Sequence, residues 1–372
     1  MDFFQENKRS IAFYVGDYCR SGGTERSCIS VANGLAERGH VKVFLIMTNN
    51  KSERPFFDIN HKVNLIFLNI KNSKIQYFSL LNKLNSSLKK YNIDKLVAVE
   101  VMSLLFILPL FIFSVFYRPR AKLWVWEHFN FTVNLGKKSR DFLRRKVINF
   151  SELIVVLTQR DVGLWREGLK FSGNIVAINN PSPYPISEKS YSNDSKIIIA
   201  VGRLTFQKGF DRLLSIWGRF LEKFPEQGDW TLQIIGSGPD KELLEEIVSS
   251  KSLHNNVEFI PNTSKISDYY EKASLLAMTS RFEGLPMTLI EAQSFGLPII
   301  SYDCLTGPSD VISSGSGYLV KDEDESDFVD KLYHLTVNEN LRVLMSKNAK
   351  KEVAKYGIDY ISSQWKEQLI TL

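Results

Sequence analysis

The sequence has few of the residues that build disulfide or metal-held frameworks. Its 372 residues include five histidines and three widely separated cysteines without a Cys-x-x-Cys pair. No His/Cys cluster has the spacing of metal ligands, which argues against a structural zinc site and a disulfide scaffold. Scarce cysteine is typical of a reducing compartment, and the charges of the first ten residues do not fit a signal peptide. We therefore expect a cytoplasmic protein without a metal cofactor.

Long uncharged runs are also scarce, and one of them requires a membrane test. Val101–Tyr117 has no charge over 17 residues. That length is the lower limit for a transmembrane helix, and Pro109 interrupts the run. A buried or interfacial helix is favoured over a membrane span, and an arrangement of loop and strand is a third alternative.

Positive charge is concentrated in one region of a chain whose net charge is +6. Nine Lys/Arg residues against two acids lie between residues 118 and 146: Arg118, Arg120, Lys122, Lys137, Lys138, Arg140, Arg144, Arg145 and Lys146. Such a run attracts anionic lipid, nucleic acid or phosphorylated substrates, although a solvated helix face is the simpler alternative. Phe142, Val147 and Phe150 would add an apolar edge. We expect salt-reversible, peripheral binding to an anionic membrane through this region.

The chain is too long for one hydrophobic core and repeats a strand–loop–helix unit. This alternation predicts parallel sheets with helices on both faces. A segment rich in proline, serine and asparagine, 179–196, separates two series of such units. We expect an N-terminal Rossmann-like domain over 1–185, a second over 186–355, and a final helix over 356–372 that packs back on the first.

Ligands of parallel sheets bind at the carboxyl ends of the strands, where "RFEGLPMTLIEA" follows an apolar strand. Pro286 suits the first position of a helix that runs to Phe295, and the free amides of Met287 and Thr288 could hold a phosphate. Glu283 precedes this helix and Glu291 lies inside it. Acids placed to complement the helix dipole are the alternative, which explains Glu283 better than Glu291.

Three further positions follow predicted strands. Arg203 and Lys208 in "GRLTFQKG" make a natural pair for a diphosphate, whereas isolated residues of this kind are usually surface charges. Gly22 and Gly23, ahead of a helix capped by Thr24, would let the backbone approach a ligand, although the chain has neither Gly-x-Gly-x-x-Gly nor a P-loop sequence. His128 ends a strand, and a structural histidine is the alternative interpretation.

With these motifs, the chain resembles the GT-B glycosyltransferases of family 4, which retain stereochemistry and use nucleotide-sugars. "VGRLTFQKGFDRLL" is similar to the family's phosphate loop, "EGLPMTLIEA" to its two glutamates, and "SGGTERS" to its N-terminal glycine loop. "DCLTGPSDVI" is most similar to bacterial enzymes that extend lipid-linked glycans for capsule, O-antigen or protein glycosylation. Leu305 departs from the proline that many of those enzymes have.

The resemblance implies two Rossmann-like domains facing a cleft, a UDP-sugar donor, and no metal. It implies that Arg203 and Lys208 neutralise the leaving diphosphate, that Glu291 holds the ribose, and that Glu283 holds the donor sugar with the 284–287 backbone. The remaining implied contacts are the base near Ile260 and Pro261, the glycine loop at Gly22 and Gly23, and the donor sugar at His128. The donor-site backbone comprises Gly284, Leu285, Pro286 and Met287, with Thr288 beside it.

The expected function is transfer of a hexose or N-acetylhexosamine from a nucleotide-sugar to an undecaprenyl-pyrophosphate-linked glycan, at the cytoplasmic face of the plasma membrane. One alternative is a GT-B-fold epimerase that uses the same nucleotide pocket without an acceptor. Another is a membrane-surface or nucleic-acid-binding protein without catalysis, which would leave the two cations and two glutamates unexplained. We expect no nucleic-acid partner.

Overall fold

The computed structural model describes residues 8–19, 22–48, 55–71, 75–189, 191 and 194–372. The chain divides into two compact units. One unit contains the residues up to Pro183 together with Gly357–Leu372, and the other contains Tyr184–Tyr356. The predicted pair of Rossmann-like domains is confirmed, because each unit is built on one parallel sheet flanked by helices.

The first unit has a seven-stranded parallel sheet in the order β3-β2-β1-β4-β5-β6-β7. Its strands are β1 (Ser10–Gly16), β2 (Lys42–Met47), β3 (Asn64–Phe67), β4 (Lys95–Val99), β5 (Lys122–Trp126), β6 (Ser151–Val156) and β7 (Ile175–Ala177). Its helices up to this point are α1 (Gly23–Glu37), α2 (Tyr77–Lys90), α3 (Leu104–Ile112), α4 (Ser114–Tyr117), α5 (Lys138–Val147) and α6 (Gln159–Leu169). On strand β1, Ala12 lies opposite Phe44 of β2 on one side and Leu96 of β4 on the other.

The second unit has a six-stranded parallel sheet in the order β10-β9-β8-β11-β12-β13. Its strands are β8 (Ile197–Val201), β9 (Thr231–Ile235), β10 (Val257–Ile260), β11 (Leu275–Met278), β12 (Ile299–Asp303) and β13 (Gly317–Lys321). Its helices are α7 (Phe210–Lys223), α8 (Lys241–Ser250), α9 (Ile266–Lys272), α10 (Met287–Ser294), α11 (Pro308–Val311), α12 (Glu325–Val337) and α13 (Glu339–Glu352). The strands are short apolar runs because both faces of the sheet are covered.

The last helix, α14 (Ile358–Thr371), belongs to the first unit. Its Trp365 is fully buried against Trp126 of β5, with ring centroids 4.8 Å apart, and against Phe13 of β1. A Cβ on Gly34 of α1 would lie 2.3 Å from the Ser362 hydroxyl, so glycine allows the two helices to pack closely. The return of the final helix, predicted from the sequence, is therefore part of the observed fold.

Two predicted helix starts are shifted. Gly22, not Thr24, is the N-cap residue of α1, because its extended backbone lets the helix begin at Gly23 and leaves Thr24 inside the first turn. Pro286 is likewise the N-cap of α10 rather than its first residue. The predicted end of that helix is also one residue too long, since the last helical residue is Ser294.

The uncharged run Val101–Tyr117 forms a short 3₁₀ turn followed by α3 and α4, with a break at Phe113. Pro109 has no N–H to donate to the Leu105 carbonyl, and the Tyr77 hydroxyl donates to that oxygen instead, at 2.8 Å. In the part of the chain that the structure describes, no helix combines the length and apolar character needed to cross a membrane.

Candidate active site

Two loops at the carboxyl edge of the second sheet are joined by an ion pair. Lys208 follows β8 and Glu283 follows β11, and these strands are neighbours. Lys208 Nζ lies 2.7 Å from Glu283 Oε1, and the Glu283 side chain is buried. Arg203 lies on the same loop as Lys208 with its side chain exposed. The predicted pair of cations therefore has one member paired with an acid and one facing solvent.

Glycine allows these loops to pack closely. Gly209 has a φ of +65°, and a Cβ there would lie 2.2 Å from the Thr279 carbonyl oxygen. The Thr279 hydroxyl donates to the Gly209 carbonyl oxygen at 2.8 Å. A larger residue would push the Lys208 loop away from the loop that carries Glu283, because both the φ value and the available space favour glycine.

Arg281 joins the same two loops and was not among the predicted site residues. Its guanidinium donates to both carboxylate oxygens of Asp211, at 2.9 and 2.5 Å, and to the Phe206 carbonyl oxygen at 2.7 Å. Burial opposes ionisation of Asp211, but the hydrogen bonds from Arg281 hold its pKa below the usual value. The sequence signal that could have predicted this pair is the acid Asp211 after "GRLTFQKG" and the cation Arg281 just before Glu283.

The first turn of α10 adjoins the cation loop. Thr288 and Lys208 line the same small cavity, and Met287 is half-buried. The other predicted residues of this turn are Gly284, which is half-buried, and Leu285 and Pro286, which are buried. The amides at the start of a helix are donors for an anion, so this edge combines backbone donors with the Lys208 ammonium.

Glu291 is held in a fixed orientation from the neighbouring helix. Its carboxylate accepts a hydrogen bond from the Tyr270 hydroxyl at 2.8 Å, and both side chains are buried. The Tyr270 ring stacks on Phe295, with centroids 5.3 Å apart and planes 9° apart. A buried carboxylate needs hydrogen-bond partners, and the Tyr270 hydroxyl is one of them. No pattern in the sequence identified Tyr270.

Ile260 ends β10, two strands from β8. Its carbonyl oxygen accepts a hydrogen bond from the Gly236 amide at 2.8 Å. A Cβ on Gly236 would lie 1.9 Å from the Gly202 carbonyl oxygen, so the loops after β8 and β9 are in close contact. The structure thus places Ile260 at the same sheet edge as Arg203.

Gly22, Gly23 and His128 belong to the first unit. Gly22 and Gly23 follow β1 at the start of α1, and His128 follows β5, on the other side of β4. His128 is 8% exposed, and its Nε2 has no hydrogen-bond partner. Burial lowers the pKa of His128 to about 3, so the imidazole is neutral at physiological pH. Arg20 and Ser21, which complete the predicted glycine loop, lie outside the described residues.

Residues 186–352 match the family model "Glycosyl transferases group 1". An uncharacterized glycosyltransferase of Haemophilus influenzae is 33% identical over 361 residues, covering 96% of this chain and 99% of that protein. The chain belongs to the group 1 glycosyl transferases.

Two further similarities are to proteins whose names or structures include ligands. A Campylobacter jejuni enzyme named as an N-acetylgalactosaminyltransferase acting on a GalNAc-GalNAc-diNAcBac-PP-undecaprenol is 27% identical, over 93% of this chain and 94% of that protein. The structure of a mutant of S. aureus TarM with fondaparinux, alpha-GlcNAc-glycerol and UDP superimposes with a TM-score of 0.78. It is 15% identical and covers 97% of this chain and 99% of that one.

In this transferase, two arginines of the basic run are internal. Arg140 and Arg144 of α5 are each 1% exposed, so the prediction that they face a membrane is wrong. Arg140 Nη1 lies 3.2 Å from Glu127 Oε1 and also pairs with Glu100. Arg144 Nε lies 3.6 Å from Glu127 Oε2. Counting charges along the sequence did not reveal that acids from neighbouring strand ends would draw these side chains inward.

The internal arginines hold the loop that carries His128. Arg144 donates to the carbonyl oxygens of Phe131 and Asn130, at 2.6 and 3.0 Å. Asp161 of α6 accepts from the Phe131 amide at 2.7 Å, and burial raises the pKa of Asp161 to about 7. The loop after β5 is therefore held in place by hydrogen bonds to the buried side chains of Arg144 and Asp161.

The predicted apolar edge of α5 is also partly wrong. Val147 is fully buried and Phe150 packs partly against the core, whereas Phe142 is 58% exposed. A helix exposes one side only, and the inner side of α5 faces the sheet. Phe142 therefore stands without the two apolar neighbours that the sequence suggested.

One acidic motif of the transferase escaped the sequence analysis. Asp322-Glu323-Asp324 is an Asp-x-Asp sequence, a pattern that can serve metal binding. Arg212 donates to Asp322 Oδ1 at 2.9 Å and to Glu323 Oε1 at 3.0 Å, and Asp324 caps α12. Within the described ranges, no group of three or more His, Cys, Asp or Glu side chains is arranged to hold a metal ion.

Proposed function

We propose that the protein is a retaining transferase that moves a hexose or N-acetylhexosamine from a UDP-sugar to an undecaprenyl-pyrophosphate-linked glycan. The proposal rests on one observation. The carboxyl edge of the second sheet carries Arg203, Lys208 and Glu283 together with the first turn of α10. The UDP in the TarM complex supports the donor class, and the acceptor named for the Campylobacter enzyme supports the lipid-linked glycan. Surface polysaccharide biosynthesis is the corresponding role.

The chemistry assigned to the site is stabilisation of a leaving group. Arg203 and Lys208 neutralise the diphosphate as its bond to the sugar breaks, which is commonly the largest catalytic contribution. Glu291, oriented by Tyr270, accepts hydrogen bonds from the ribose hydroxyls. Glu283 and the 284–287 backbone bind the sugar, and the backbone at Ile260 borders the base.

In the proposed reaction, the acceptor hydroxyl attacks the anomeric carbon on the face from which the diphosphate leaves. The new carbon–oxygen bond replaces the bond to the phosphate, and the acceptor proton passes to the departing phosphate oxygen. The stereochemistry is retained, and no carboxylate base is required. Neutral His128 serves as a hydrogen-bond partner of the sugar rather than as a cation.

The test is incubation with a panel of UDP- and GDP-sugars and an undecaprenyl-pyrophosphate glycan. Transfer from a UDP-sugar with retention at the anomeric carbon is the expected result. Interconversion of the donor without transfer would identify an epimerase, and no reaction with any donor would indicate a binding protein. An inverted product would contradict the front-face mechanism.

We expect catalysis to persist in excess EDTA, because the two cations supply the charge that a metal would otherwise supply. The measurement is the initial rate of sugar transfer before and after chelation. A matched sample with added magnesium or manganese is the control. A complete loss of rate that either ion restores would contradict the assignment of this role to Arg203 and Lys208.

We further propose that the enzyme works as a peripheral protein on the cytoplasmic face of the plasma membrane, where a lipid-linked acceptor presents its pyrophosphate. The exposed cations of the first unit support this location, since each basic side chain near an anionic surface contributes about 1 kcal/mol. Arg140 and Arg144 do not contribute, because both are buried.

A further inference from the structure

The break between α3 and α4 exposes a compact group of large apolar side chains. We name Ile112, Phe113, Val115 and Phe116 the apolar knuckle. Their exposed fractions are 43%, 53%, 77% and 84%. None of the residues of α4 is buried. Single exposed apolar residues are ordinary, but four within five positions are the kind of surface that marks an interaction site.

Hydrogen bonds and core packing hold the apolar knuckle in a defined conformation within the first unit. The Asn85 amide and the Lys89 ammonium of α2 both donate to the Tyr117 carbonyl oxygen, at 2.7 and 2.9 Å, which fixes the end of α4. On the inner side, Leu108 and Leu110 of α3 are buried in the core. The turn between α3 and α4 is therefore anchored on both sides, and the knuckle side chains remain exposed to solvent.

The charges around the knuckle are almost all positive. No acidic residue occurs between Val101 and Trp126. The exposed cations of this region are Lys89, Lys90, Arg118, Arg120 and Lys122. Asp94 offsets part of this charge, because it pairs with Arg120 at 3.5 Å. An apolar tip with a basic border is complementary to a bilayer whose surface carries anionic headgroups.

We propose that the apolar knuckle inserts into the headgroup region of an anionic membrane while the neighbouring cations contact lipid phosphates. This inference rests on the proposed use of a lipid-linked acceptor and adds the surface that contacts the lipid. A bilayer fits better than a folded partner, because a stable protein interface needs about 20–30 residues on each side. Insertion also gives an attraction that salt does not screen.

The test is co-sedimentation with vesicles of phosphatidylcholine, with and without phosphatidylglycerol. Wild type is expected to bind the anionic vesicles and to keep part of this binding in high salt. A Phe113→Ser/Phe116→Ser double variant is expected to lose about 100-fold in partitioning, since each phenyl ring removed from an apolar environment costs about tenfold or more. Phe142→Ser is the matched control, because Phe142 is an exposed phenylalanine on the basic helix α5, and it is expected to bind like wild type.

Equal binding by the wild type and the double variant would overturn the proposal. Loss of binding in Phe142→Ser alone would assign the contact to α5 and overturn it as well. A change in oligomeric state on sedimentation velocity, without vesicle binding by the wild type, would make a second copy the occupant. Hydrolysis of UDP-sugars by the same samples without vesicles tests the proposed function separately, so an active enzyme that binds no vesicles contradicts the membrane surface alone.

Discussion

Replacing Arg203 with alanine is expected to lower kcat by about 100-fold or more, because removal of one preorganised charge-stabilising group commonly has that cost. Arg203 is exposed, so the substitution leaves no buried partner uncompensated. Lys208→Ala is expected to have an effect of the same order on transfer. The measurement is the steady-state rate with saturating donor and acceptor.

The matched control is Lys223→Ala, a lysine of α7 that forms an exposed pair with Asp330. Its kcat should equal that of the wild type. Because Lys208→Ala also removes an ion pair from buried Glu283, the thermal midpoint of each variant must be recorded alongside the rate. Near-normal kcat in both Arg203→Ala and Lys208→Ala would remove the charge-stabilising role from this loop.

Two buried groups near the loop after β5, Asp161 and His128, are expected to make the free energy of unfolding depend on pH in opposite directions. Asp161 has a folded pKa of about 7, above its unfolded value of about 3.9. Unfolding therefore releases a proton between these values, and this residue lowers the free energy of unfolding as pH rises. His128 has a folded pKa of about 3, below its unfolded value of about 6.5. It lowers the free energy of unfolding as pH falls through that range.

Single substitutions should separate the two effects. Relative to wild type, Asp161→Asn should gain stability as pH rises from about 4 to about 7, by an amount on the order of 4 kcal/mol. His128→Gln should gain a similar amount as pH falls from about 6.5 to about 3. Arg144 and Glu127 act on Asp161, and Arg140 pairs with Glu127; all three remain in each variant. Urea unfolding across this pH range is the measurement, and stability differences that do not vary with pH would contradict the buried titrations.

The sequence was sufficient to predict the sheet architecture and to place the loops that carry Arg203, Lys208 and Glu283 at strand ends. Short apolar strands alternate with amphipathic helices, and the Arg203, Lys208 and Glu283 motifs follow strands that prove to be neighbours. Local patterns predict which residues end a strand, and the parallel topology then brings those ends to one edge. The proximity of the loops that carry Lys208 and Glu283 follows from this logic, whereas the ion pair between these two side chains was not predicted.

Local sequence patterns did not predict contacts between side chains that are distant in the sequence. Arg140 and Arg144 look like members of a surface charge run, because their acidic partners are distant in sequence or come from other elements. Tyr270 has no motif of its own and orients Glu291. Arg281 begins the "RFEGLPMTLIEA" stretch, but its pairing with Asp211 joins two distant segments and could not be read from the sequence. The N-cap of α1 is Gly22 rather than Thr24 because of the extended backbone of a glycine, which composition does not specify.

In the proposed donor site, the ion pair between Lys208 and Glu283 places an anion beside the ammonium before any nucleotide binds. An incoming phosphate must compete with the carboxylate for the ammonium, so the net gain is the difference between two attractions. A ligand with a single phosphate gains little from this exchange, whereas a diphosphate can satisfy Lys208 and also reach Arg203. Under the proposed function, the ion pair therefore sets a minimum negative charge that a ligand must carry before its sugar is bound.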